Sequence, residues 1–210
     1  MAGLLTGLAA EWLVRRFLME YSRAARMAGV RAAFIMLCAG WLTAGVYTRF
    51  GLSEKLILYA LLILLLLAAG LIDLYLQILP NVVVLPGFLA GLGYYSVKSV
   101  LEMDARPLAF SVFGALAGGA VLFLVIRVSR GGMGLGDMKF LMMIGAFMGP
   151  VNSLIALTLA VILGGALGVI LIAARVANRK TPVPFGPFLA VGALTMIFYD
   201  APIRQWLAGA

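Results

Sequence analysis

Gly131 to Lys139 reads GGMGLGDMK, a polar, glycine-rich break between two long apolar runs. Its one acid, Asp137, is costly where it stands. An ionisable group beside or inside a hydrocarbon slab is disfavoured by about 2.5 to 3.5 kcal/mol, so it marks a candidate site and calls for a partner. Gly134 and Gly136 precede the acid, and glycine lets a backbone approach another group closely or take dihedrals closed to other residues.

The surroundings of this break are lipid-like. Of 210 residues 64% are hydrophobic and 11% charged, with a mean hydropathy of +1.12, whereas water-soluble domains carry about a quarter charged residues. The chain therefore reads as an integral membrane protein. No stretch is proline-rich, serine-rich or charged enough to link two domains, and no repeat recurs, so residues 1–210 are expected to form a single domain. The net charge of +8 comes from 16 basic residues set in short clusters between apolar segments. That is the pattern of topology signals, not of a nucleic-acid patch. Cys38 is the only cysteine and lies in an apolar run, which excludes a disulfide framework and zinc-ligand spacing. With no histidine, His-based metal sites and Ser/His or Cys/His catalysis are excluded too. The first apolar segment has no basic region before it and no small-residue cleavage site after it, so it is expected to be retained.

A helix needs about 20 apolar residues to cross the hydrocarbon, with about 17 as a lower limit. Working outward from the glycine stretch, a span from Leu108 to Ile126 precedes it. A short apolar helix, Met138 to Phe147, follows, then a Gly149-Pro150 turn, a long span from Ser153 to Ala174, and a last one from Phe188 to Tyr199. Upstream lie spans at Gly3 to Phe17, Ala32 to Phe50, Leu56 to Ile72 and Val82 to Val97, the last leading into a polar hairpin, KSVLEMDARP. The fold expected is an all-α membrane protein, a polytopic bundle of about eight transmembrane or membrane-embedded helices.

Eight segments put both termini on one side, and lysine and arginine are enriched in cytoplasmic connections. Arg15, Arg16, Arg23, Arg26, Arg31, Arg127, Arg130, Lys139, Arg175, Arg179 and Lys180 share one side, eleven of the 16; Arg49, Lys55, Lys98, Arg106 and Arg204 share the other. The larger group marks the cytoplasmic face, so both termini are expected on the non-cytoplasmic side. On this map Asp73, which closes the leucine-rich third span, and Asp137 both fall at the cytoplasmic end of their helices. Pro80 pushes Leu79 out of helical geometry, so the helix carrying Asp73 is expected to end about two turns beyond the acid.

Two carboxylates on different helices at one face can share a proton, because like charges at short range do not both ionise easily. A shared-proton pair is the aspartic protease arrangement, in which one acid activates water and the other polarises the scissile carbonyl. The pair titrates as a unit, so neither acid takes a fixed role.

The motifs resemble those of the type IV prepilin peptidases, which are GxGD-type membrane aspartic proteases. GMGLGDMK before an apolar helix, preceded 64 positions earlier by an acid in the pattern D-x(6)-P-N, carries the resemblance. PVPFGPFLAVGAL is similar to the PFGP segment of that family, and the likeness covers about 56–207, the expected core. The resemblance implies cleavage of the short leader of prepilin-like or pseudopilin substrates at the cytoplasmic face of the inner membrane, with Asp73 and Asp137 as the catalytic pair. It also implies site-shaping roles for Gly134, Gly136, Lys139, Pro80, Asn81, Pro184, Gly186 and Pro187. Partners are then the substrate and membrane lipid, with no nucleic acid. Longer members carry a cytoplasmic insertion with paired cysteines and also methylate the trimmed substrate. Here a short basic connection, 18–31, stands in that place without a cysteine, so no zinc, no other cofactor and no N-methyltransferase activity are expected. A presenilin-like relative would place a tyrosine before the first acid, where this chain has Ile72.

Blander readings stand beside these. Asp137 also fits a helix N-cap, and Asp73 a structural counter-ion to Lys139 or an arginine. Lys139 fits an interfacial anchor, and Pro184, Gly186 and Pro187 a plain helix-entry turn. GMGLGD lacks the GK[ST] of a nucleotide loop. A small proton-coupled transporter using buried carboxylates is the alternative function, although such a protein is expected to show repeat symmetry and midplane charges.

Overall fold

The computed structural model describes residues 2–18, 28–128, 133–176, 178, 181 and 183–209. The described residues form seven helices: α1 (Ala2–Leu18), α2 (Ala28–Phe50), α3 (Glu54–Leu76), α4 (Asn81–Glu102), α5 (Arg106–Val128), α6 (Leu135–Ala173) and α7 (Gly186–Gly209). Five of them, α3 to α7, are long and apolar enough to cross a membrane. The chain is an all-helical membrane bundle. Most of the basic connection expected at 18–31, and the Gly131-Gly132 start of the glycine stretch, lie outside the described residues.

Seven helices replace the eight segments expected because two of those segments join into α6. Gly149 breaks that helix with φ 75° and ψ 178°, a conformation that glycine adopts without steric cost, and Pro150 follows it. The limbs on either side run in opposite directions. On the first limb, Leu141 packs at Gly118 and Gly145 at Gly114, antiparallel to α5; Met143 packs at Gly87 and Phe147 at Gly91, parallel to α4. On the second limb, Asn152 meets Arg204 near the end of α7, while Gly164 meets Phe188 near its start. The start of α7 also meets the end of α3, where Gly70 lies against Pro187.

Small residues set how closely the helices around α6 approach. A Cβ placed on Gly114 would stand 2.1 Å from the Gly145 carbonyl oxygen, so α5 and the first limb touch backbone to backbone. Buried Ser111 strengthens the seam by donating to the Ala146 carbonyl at 2.8 Å. In lipid this kind of contact drives association, since apolar burial alone gives little preference over acyl chains. Phe140, Phe147, Leu62, Leu66 and Leu189 lie fully buried in one cluster that reaches from α2 to α7.

Two helix ends differ from expectation. α3 stops at Leu76, one turn beyond Asp73 and not two, because Gln77 adopts a left-handed conformation (φ 54°, ψ 34°) and returns its N–H to the Asp73 carbonyl. Pro80 instead caps the start of α4, where its carbonyl takes the amides of Val83 and Val84. α4 runs on to Glu102 and α5 starts at Arg106, so most of the expected hairpin is helical and the turn shrinks to residues 103–105. Lys98 explains the extension: it pairs with Glu54 of α3 and, at 3.5 Å, with Glu102 one turn on.

At the end of the bundle remote from Asp73, Arg49 pairs with Asp200, Lys98 with Glu54 and Arg106 with Asp104. The sequence assigns the three basic residues of these pairs to one face. α1 packs antiparallel to α2, with Gly3 at Gly40, midway along α2, and Gly7 at Met36.

Candidate active site

Asp73 sits in the last turn of α3 and is 5% exposed. Its Oδ2 accepts the backbone N–H of Gly186 at 2.8 Å, from a residue 113 positions away. That amide is available because the first N–H groups of a helix have no partner within it, and their aligned dipoles favour a carboxylate. Only glycine fits the contact. A Cβ on Gly186 would stand 2.7 Å from Oδ2 and 3.0 Å from Cβ and Cγ of Asp73. Pro187, next in the chain, brings its Cα to 3.6 Å from where a Cβ on Gly70 would be, so α7 abuts α3 one turn before the acid. Pro184, half-buried, leads the chain into this turn.

Asp137 is held differently. α6 begins at Leu135, so Gly134 is the cap and Asp137 the third helical residue, not the N-cap. Its Oδ2 folds back to accept the Gly134 N–H at 3.2 Å, and its own N–H returns to the Gly134 carbonyl at 3.2 Å. This is the acidic half of a capping box. The cap has φ −84° and ψ 149°, which any residue adopts, and a Cβ there would meet Asp137 Oδ2 at an ordinary 3.4 Å. Gly136 is the tighter position. A Cβ on it would lie 3.1 Å from Leu79 Cβ, so the start of α6 rests on the α3–α4 link. Lys139 Nζ donates to Asn81 Oδ1 at 3.0 Å, tying the start of α6 to the start of α4 just after Pro80.

The two carboxylates, from different helices, lie at one end of the bundle: Asp73 is in the last turn of α3, and Asp137 is in the first turn of α6, which rests on Leu79, six residues beyond Asp73. Around Asp73 stand Gly186, Pro187 and Pro184. Around Asp137 stand Gly134, Gly136 and, through the link, Pro80, Asn81 and Lys139. Lys139 engages Asn81 and not Asp73, so the counter-ion reading of that pair fails. Gly70 and Leu79 complete the site and were not singled out in the sequence. A signal existed for Gly70, which lies three residues before Asp73 and hence on the same helix face. Leu79 offered none beyond its place before Pro80.

Two aspartates at one end of a helical membrane bundle fit the class of intramembrane acid–base sites. The particular family follows from comparison: a model of the type IV leader peptidase family matches residues 60–169, which include both acids, and the chain belongs to that family. It is similar to a protein of Pseudomonas aeruginosa named prepilin leader peptidase/N-methyltransferase, 36% identical over 183 residues, covering 85% of this chain and 62% of that one. Proteins of the same name from Burkholderia pseudomallei and Stutzerimonas stutzeri are 32% and 33% identical, covering 86% and 84% of this chain and 59% and 62% of theirs. The chain thus spans about six-tenths of the length of these relatives. No solved structure matches it.

Proposed function

We propose that this chain is a membrane aspartic endopeptidase that removes the short leader of type IV prepilin-like or pseudopilin substrates at the cytoplasmic face of the inner membrane. One observation carries the reading: two carboxylates from different helices lie at one end of the bundle, with the Gly186 amide on one and the Gly134 amide on the other. Asp73 and Asp137 form the catalytic pair. Sharing one proton, they activate a water molecule and polarise the scissile carbonyl, and each amide steers a carboxylate oxygen away from rotation. Irregular backbone at membrane depth is tolerated where protein or a wet cavity covers it, which suits the glycine-rich start of α6 as a route for water.

The substrate's apolar helix stays in the bilayer while its leader lies in water, so the bond to be cut sits at an interface. Acids near the ends of α3 and α6 suit that bond, whereas a transporter would carry them at midplane. The excess of basic residues in the connections that the sequence assigns to the side of the acids supports a cytoplasmic site and termini on the opposite side. The chain acts as a single peptidase domain, 1–210. Its named relatives are longer and carry a second activity in their names. The short, cysteine-free connection at 18–31 favours proteolysis without N-methylation.

Purified protein incubated with a prepilin peptide tests the reading. Asp73→Asn and Asp137→Asn should each lower the cleavage rate by about 10²- to 10⁴-fold, the contribution of a positioned acid or base. Undiminished cleavage by either variant would sink the paired-acid mechanism.

A further inference from the structure

At the end remote from the acids, α2 and α7 diverge around a groove of about 590 Å³, lined by Trp41, Gly45, Thr48, Arg49, Phe198 and Tyr199. Two backbone features shape it. Gly45 allows Phe198 to close its floor, since a Cβ there would stand 2.9 Å from that ring, and α7 breaks helical geometry at Tyr199 (φ −127°, ψ 22°). Trp41 is 80% exposed and Tyr199 59%, so the mouth opens outward from the bundle. Arg49 stands eight residues from Trp41, about 12 Å along the helix, so one end of the groove is apolar and the other cationic.

The cations beside the groove keep donors to spare. One guanidinium nitrogen of Arg49, Nη2, goes to Asp200, and a guanidinium carries five N–H donors. Lys55 is exposed, and both cations stand over the same Phe50 ring, at 5.3 and 5.8 Å. Arg204 lies at the same end, bound to neutral Asn152. Glu54, the neighbour of Lys55, is engaged by Lys98. Across that end five cations, Arg49, Lys55, Lys98, Arg106 and Arg204, face four carboxylates, Glu54, Glu102, Asp104 and Asp200, a surplus of one among the described residues, with exposed Lys55 beside the Arg49 end of the groove.

We propose that this groove binds an anionic phospholipid, with an acyl chain against Trp41, Gly45 and Phe198 and the phosphate between Arg49 and Lys55. Close-packed protein does not leave such a space empty in a bilayer, and a lipid chain is the solvent at hand. The cations at one end select the headgroup, each near-surface Lys or Arg favouring anionic lipid about fivefold.

Native mass spectrometry of the purified full chain, given equal amounts of phosphatidylglycerol and phosphatidylcholine, tests this. Wild type should retain phosphatidylglycerol preferentially. Lys55→Gln, at an exposed position, should lower that retention about fivefold, and the double variant with Arg49→Gln about 25-fold. Ala44→Phe, which fills the groove, should release both lipids without changing the unfolding temperature. Arg106→Gln, at the same end but away from the groove, should change nothing. Equal retention of the two lipids by wild type, no loss in the double variant, or an equal loss with Arg106→Gln would each overturn the site. So would a lipid-free dimer that Ala44→Phe dissociates, since the groove would then belong to a second copy of the chain.

Discussion

The two acids are held by opposite means. Asp73 is buried and fixed by an amide from 113 residues away, so its geometry depends on how α3 packs against α7. Asp137 is half-exposed and fixed by an amide three residues away, so its geometry is complete once one helical turn forms. One carboxylate is positioned by the tertiary fold and the other by local structure. A site built this way is open to damage at many places on the Asp73 side and at few on the Asp137 side.

Gly186→Ala against Gly134→Ala is the sharpest test of that contrast. The first substitution drives a methyl group to 2.7 Å from the Asp73 oxygen, whereas the second meets nothing closer than 3.4 Å. A displacement of about 1 Å at a reacting group costs about 100-fold in rate, so Gly186→Ala should lower peptide cleavage by that order. Gly134→Ala should cost less than about fivefold, the weight of a poorer cap. Equal losses in the two variants would break the distinction.

Gly114→Ala probes stability instead of chemistry. Overpacking the backbone contact with Gly145 should cost about 1 to 3 kcal/mol, seen as a lower unfolding temperature. A normal unfolding temperature would show that α5 and α6 can part without penalty. The smallest effect belongs to Lys139 and Asn81, whose exposed bond should contribute about 0.5 to 1.5 kcal/mol. A double-mutant cycle of Lys139→Met and Asn81→Ala on cleavage and on unfolding measures it. A coupling well above that range would give the pair a larger share in holding Asp137.

The contrast also explains what the sequence made legible. Asp137, its glycines and the Gly149-Pro150 break announce themselves locally, through an acid in a polar gap and a dipeptide that interrupts an apolar run. The end of α3 was misjudged because Gln77 takes a left-handed turn that no glycine or asparagine signals. The length of α4 was misjudged because Lys98 finds its partner, Glu54, on another helix. The Gly186 contact is tertiary altogether. Nothing in PFGP by itself says that an amide there will meet a carboxylate 113 residues upstream, and only the resemblance to a family pointed to the segment.

The break at Gly149 has a consequence for the parity of the chain's crossings. By reversing α6 there, a single residue with φ 75° adds one passage through the bundle, and α7 therefore starts at the end where Asp73 waits. Were α6 continuous, α7 would begin on the opposite side, and the Gly186 amide would be separated from its carboxylate by the hydrocarbon thickness, about 30 Å. The position of one half of the site is thus decided by a backbone dihedral at the far end of the molecule.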